Sequence, residues 1–219
     1  MTETEWLACN DPAEMLIFVE SRLSKRKLRL VCCAFCRGVV DWCRNCPKEL
    51  LATVETAERF ADGQVSAEQL IAARQWVASD DLCLCAPASP DLLASNDRSM
   101  AESFAALLAD RGLRYPRELL AIARAHVFSL RAAQSGMAAA LREVVRPHRS
   151  AEFDRRCLTP RALQSAGAIY EAGPWERLFD LANELQSAGC TDDGVLSHFR
   201  RGRMHARGCW ALDLVLDRE

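Results

Sequence analysis

The segment SKRKLRLVCCAFCRGVVDWC, residues 24–43, decides how this chain is read. Its apolar positions Leu28, Val31, Cys32, Phe35, Val39, Trp42 and Cys43 recur at three- and four-residue steps, which predicts one continuous helical stripe. Ser24 can cap its start, and Pro47 ends it because proline cannot continue a helix. The same stretch carries Cys33-x2-Cys36-x6-Cys43-x2-Cys46, two CxxC pairs that on spacing suit a four-thiolate zinc site. A zinc knuckle, however, places its first pair in a tight turn with backbone amides facing the sulfurs. Cys33 and Cys36 fall inside a strong helical pattern instead, so the cysteines read as small apolar core side chains.

Outward from this segment, helix punctuation is dense and strand signals are nearly absent. Asp11-Pro12-Ala13-Glu14 and Ser66-Ala67-Glu68-Gln69 read as capping boxes, and Thr159-Pro160 as another helix start. Asp62-Gly63, Gly112, Gly173-Pro174 and Gly189 mark helix ends. Helices are predicted at about 116–134 and 137–145, with residues 146–158 irregular and with short helices at 192–199 and 208–216. Residues 79–97, rich in Ser, Asp, Pro and Ala, read as a loop. The expected fold is all-α, an irregular multi-helix bundle of about ten helices with no significant sheet. Its expected organisation is a helical subdomain over 1–78, a linker over 79–97 and a second helical subdomain over 98–219, packed as one domain or two.

Half of the 219 residues are hydrophobic but only 7% aromatic, and Ala and Leu supply most of the apolar side chains, which suits helix packing. With 28 basic and 30 acidic side chains the net charge is −2, so nothing draws the whole chain toward nucleic acid or anionic lipid. The acidic, polar start (Thr2, Glu3, Thr4, Glu5) lacks the apolar core of a signal peptide, and no apolar run approaches the ~20 residues of a membrane helix. The odd count of 11 cysteines, with Cys32 beside Cys33, argues against a disulfide framework. A cytoplasmic protein with reduced cysteines is therefore expected.

Three overlapping sets near the C-terminus carry chemistry. Cys190-x7-His198-x6-His205-x3-Cys209 mixes soft and borderline ligands fit for Zn²⁺. A straight helix between Cys190 and His198 would hold these two ~10–12 Å apart at 1.5 Å per residue, too far for one ion. Cys209, after Gly208 at a predicted helix start and beside Arg207, reads alternatively as an activated thiol, with His205 as base and Asp213 as its orienter. Arg200, Arg201, Arg203 and Arg207 line a basic loop able to hold an anion, although no aromatic residue interleaves them as a base-stacking platform. His126 lies in an apolar helix and reads as packing. The fingerprints of P-loops, dinucleotide-binding turns, HExxH metalloproteases and GxSxG hydrolases are absent.

The two ends of the chain resemble a family of uncharacterised bacterial proteins. The opening Thr4-Glu5-Trp6-Leu7-Ala8-Cys9 with Asp11-Pro12 and Met15-Leu16 is similar to that family's start. So are Arg26-Lys27-Leu28-Arg29-Leu30 and Ala57-Glu58-Arg59-Phe60-Ala61-Asp62-Gly63. At the other end Ala188-Gly189-Cys190, Leu196, His198, His205, Arg207-Gly208-Cys209-Trp210 and Asp213-Leu214 match its closing motif. Cys43 and Cys46 are not part of the pattern. The resemblance implies a small cytoplasmic protein, in some members a module at the end of a larger chain, and it implies no activity, cofactor or partner.

The expected function is a non-catalytic intracellular binding or regulatory module that meets a protein partner through helical surfaces and the basic C-terminal loop. Nucleic acid is a less favoured partner, and a membrane is not expected. The alternative is a Cys/His site that binds zinc or performs thiol-dependent catalysis.

Overall fold

Capping chemistry sets most of the helix ends. In the computed structural model, which describes residues 1–40, 48–73, 131–148, 153–202 and 205–218, ten α-helices and no strand occur among the described residues. Helix α1 (Glu3–Ala8) opens on a reciprocal box: the Thr2 hydroxyl accepts from the Glu5 amide, and the Glu5 carboxylate accepts from the Thr2 amide at 2.7 Å. This helix is an addition to the expected set. Asp11 caps α2 (Pro12–Val19) by accepting from the Ala13 amide at 2.8 Å. A 3₁₀ turn, Glu20–Arg22, leads to α3 (Lys25–Val40).

Every residue of α3 from Arg29 to Cys36 is buried, so the middle of the helix is enclosed on all sides and the expected single stripe is too narrow a description. Helix α4 (Lys48–Ala61) packs against it. Arg37 on α3 donates through Nε and Nη2 to the two carboxylate oxygens of Glu58 on α4, both at 2.7 Å. Gly63, at φ +71°, takes the left-handed turn after α4 that a side chain would resist. The Ser66–Gln69 capping box then launches α5 (Ala67–Ala72). Cys43, Cys46, His126 and the expected loop at 79–97 lie outside the described residues.

Helix α6 (Arg131–Val144) runs unbroken through Ser135-Gly136, correcting the expected division into two helices. An interior glycine costs about 1 kcal/mol against alanine. Burial of Met137, Ala138, Leu141 and Val144 along the same helix outweighs that, at about 1.5–3 kcal/mol for each large side chain.

The chain divides into two compact units, Met1–Arg142 and Glu143–Glu219. In the second, a 3₁₀ turn at Arg155–Cys157 precedes α7 (Pro160–Ala172), with Thr159 as cap and Pro160 at the first helical position. Gly173 and the turn Trp175–Arg177 reverse the chain into α8 (Leu178–Ser187). Asp192 caps α9 (Asp193–Arg200), and Gly208 at φ +87° leads into α10 (Trp210–Leu216). Helix α8 packs on α7 and α9, and α10 packs on α7. Their shared core includes Ile169, Tyr170, Leu181, Leu185, Val195, Phe199 and Leu212. Among the described residues, no helix is long and apolar enough to cross a membrane.

Candidate metal centre

Four side chains from separate pieces of the second unit converge. Glu143 sits in the last turn of α6, His198 on α9, His205 in the segment between α9 and α10, and Cys209 at the N-cap of α10. One ligand-type atom from each lies within 4.8 Å of all the others. Glu143 Oε1 is 2.9 Å from His205 Nδ1, and Glu143 Oε2 is 3.3 Å from His198 Nε2. His198 Nε2 is also 3.2 Å from Cys209 Sγ. The cluster is enclosed: Glu143 and His205 are 7% and 8% exposed, and Cys209 is 0%.

Tetrahedral zinc with bonds of about 2.0–2.3 Å separates its ligand atoms by about 3.3–3.8 Å. The observed spacings need only small side-chain adjustments to reach that. Polar atoms crowd one another at this point. His198 Nε2 faces both a carboxylate oxygen and a sulfur, and a single N–H can be donated well to only one of them. Nitrogen, oxygen and sulfur atoms gathered in one small volume are donors that a cation could take once the thiol gives up its proton.

Electrostatics favours carboxylate over thiolate in the metal-free cluster. Burial pushes the Glu143 carboxyl up, but the hydrogen bonds and charges of His198 and His205 outweigh it and hold the group below the usual 4.5. Burial raises the Cys209 thiol well above the usual 9.0, and the negative charge of Glu143 adds to this. The amides of Leu212 and Ala211 pull the other way. This reverses the expectation of a thiol activated by a helix start and a nearby arginine: desolvation dominates. The nitrogen beside Cys209 belongs to His198, the same nitrogen faces Glu143, and Glu143 also stands against His205 Nδ1.

Of the four residues singled out by spacing, the fold brings together His198, His205 and Cys209, and leaves out Cys190. The Cys190 amide donates to the Leu185 carbonyl at 2.9 Å, closing the end of α8, and α9 then separates it from His198. Cys190 is instead buried in the core. It hydrogen-bonds Cys157, whose thiol is pushed up to about 11, first by burial and then by that bond. Its place in the cluster is taken by Glu143, which stands 62 residues before His205.

Of the four thiolates suggested near the N-terminus, Cys43 and Cys46 lie outside the described residues. Cys33 and Cys36 are fully buried inside α3, where burial raises the Cys33 thiol far above its usual value and the Cys32 thiol to about 12. All seven described cysteines are free thiols.

Two arginines of the basic loop are engaged by neighbouring helices. Arg200 donates to Asn183 and Gln186 on α8. Arg207 pairs with Glu171 at 2.6 Å and lies 5.0 Å over the Tyr170 ring. Arg201 is exposed, and Arg203 lies outside the described residues. Two of the four cations expected to hold an anion therefore have partners within the protein.

No protein-family model, no curated protein and no solved structure matches this chain.

Proposed function

We propose that Glu143, His198, His205 and Cys209 form a zinc site that locks the C-terminal unit of a non-catalytic helical binding module. The observation that carries this reading is the convergence of four ligand-type atoms within 4.8 Å from four separate stretches of chain. Two imidazoles, one thiolate and one carboxylate are a borderline donor set, which suits Zn²⁺ and disfavours the hard cations Mg²⁺ and Ca²⁺. Carboxylate and thiolate together neutralise the ion, so the buried centre carries no net charge. With four protein ligands no position stays open for water or substrate, the pattern of structural rather than catalytic zinc.

The module's compartment would be the reducing cytoplasm, where the zinc-bound thiolate and the free cysteines persist. Its partner would be a protein that docks on helical surface. Ile17 stands 68% exposed on α2, and Ile17→Glu should abolish capture of that partner while helicity is unchanged; undiminished capture would place the contact elsewhere.

The direct test is metal content after purification under reducing conditions without chelator. Wild type should hold one equivalent of zinc, Glu143→Ala and His205→Ala should lose it, and Cys190→Ser should keep it. Protein that arrives metal-free and takes up no zinc on titration would overturn the assignment. So would full zinc retention in both His205→Ala and Cys209→Ser.

A further inference from the structure

Just outside the cluster, Arg146 lies two residues beyond the end of α6, with its guanidinium carbon 4.5 Å from the centre of the Trp210 ring. Trp210 in turn contacts a proposed ligand: its ring centroid is 4.8 Å from that of His198, with the planes inclined at 58°. The guanidinium is seated against Gly194 in the first turn of α9. A Cβ at that glycine would come within 2.7 Å of Arg146 Nη1 and 3.1 Å of Asp192 Oδ1. The φ of Gly194 is not positive, so its backbone conformation asks nothing special of the residue, and glycine is a poor choice within a helix. What the missing side chain provides is room for the arginine. A cation beside a helix N-terminus meets the positive end of the helix dipole. The Asp192 carboxylate and the Trp210 π-face are the features that offset this.

We propose that Arg146 and Gly194 are positioning residues of the metal centre: the guanidinium, seated in the space at Gly194, holds Trp210 against His198 and so fixes the imidazole for the ion. The inference rests on the zinc reading above. Imidazole ligands are commonly held by a neighbouring group, and losing that support typically weakens metal binding about 10–100-fold.

Gly194→Ala is the discriminating variant, because the nearest atom it would meet is the mobile tip of a long side chain, so the backbone stays and the guanidinium moves. Zinc affinity by chelator competition and the visible spectrum of the cobalt(II)-loaded protein should be measured for wild type, Gly194→Ala, Arg146→Met and Arg146→Lys. Gly194→Ala and Arg146→Met should bind zinc about 10-fold more weakly, with shifted cobalt d–d bands and unchanged helicity. Arg146→Lys, which keeps a cation over the ring, should recover part of the loss. Wild-type affinity and wild-type cobalt spectra in both Gly194→Ala and Arg146→Met would overturn the positioning role while leaving the zinc site standing. Absence of zinc and cobalt binding in wild type would overturn the zinc reading and this inference with it. Should Arg146→Met fail to fold, Gly194→Ala alone decides.

Discussion

In α3, Cys32, Cys33 and Cys36 stand within two turns of a single helix. Around Cys209, four ligand-type side chains arrive from four different stretches of chain. On one helix, residues three apart have Cβ atoms about 5–6 Å from each other, and all three cysteines are buried in the core. In the C-terminal unit the end of α6, the body of α9, the segment after it and the start of α10 meet at one point. The lesson is that a count of ligand-type residues means little; what matters is whether the fold brings separate ends of chain together.

The largest effect expected from this contrast is regional. Removing zinc with a chelator should destabilise the C-terminal unit by about 4 kcal/mol, relative to protein held at free zinc about 1,000-fold above its dissociation constant. In hydrogen-exchange mass spectrometry α9 and α10 should exchange faster while α3 and α4 keep their protection. Uniform loss of protection, or none, would break the contrast.

Arg37→Ala should give the opposite regional pattern with a smaller effect. It strips the bidentate partner from Glu58, whose side chain is 4% exposed. Removing one partner of a buried pair costs about 3–5 kcal/mol; because the Arg37 side chain is 33% exposed, about 2 kcal/mol is expected, read by urea denaturation. Zinc content should be unchanged.

The smallest effect concerns acid. In metal-free protein the Glu143 carboxyl is held below 4.5. Its contribution to stability is therefore present above that pH and lost as the pH falls through the lowered value. Thermal melts of metal-free wild type and Glu143→Gln should differ most above pH 4.5 and converge as the pH falls through the lowered value; parallel profiles would remove Glu143 from the account.

Much of the fold was legible because helix ends depend on local chemistry. The box at Ser66, Thr159-Pro160 and the left-handed Gly63 and Gly173 each act within a few residues. The Thr2–Glu5 box carries the same signature at the acidic start of the chain. Gly136 works in the other direction: its low helix propensity suggests a break, and tertiary burial of α6 overrides it. The site was legible in part: His198, His205 and Cys209 are near one another in sequence, whereas Cys190, equally near, folds into the core. Glu143 is brought in by the tertiary fold. Its only local sign is an acidic residue between Leu141 and Val144-Val145, a place where a carboxylate needs a partner. The upward shift of the Cys209 thiol is not legible in the sequence, because a helix start can be counted along the chain, whereas burial cannot.

The central claim is that one ion sits among one sulfur, two imidazoles and one carboxylate. X-ray absorption at the zinc edge of the loaded protein reads that shell directly. It should consist of one sulfur at about 2.3 Å and three nitrogen or oxygen neighbours at about 2.0–2.2 Å. A shell of four sulfurs would move the metal to the cysteine-rich helix, and a shell of oxygens alone would mean an ion bound elsewhere on the surface; either would contradict the account.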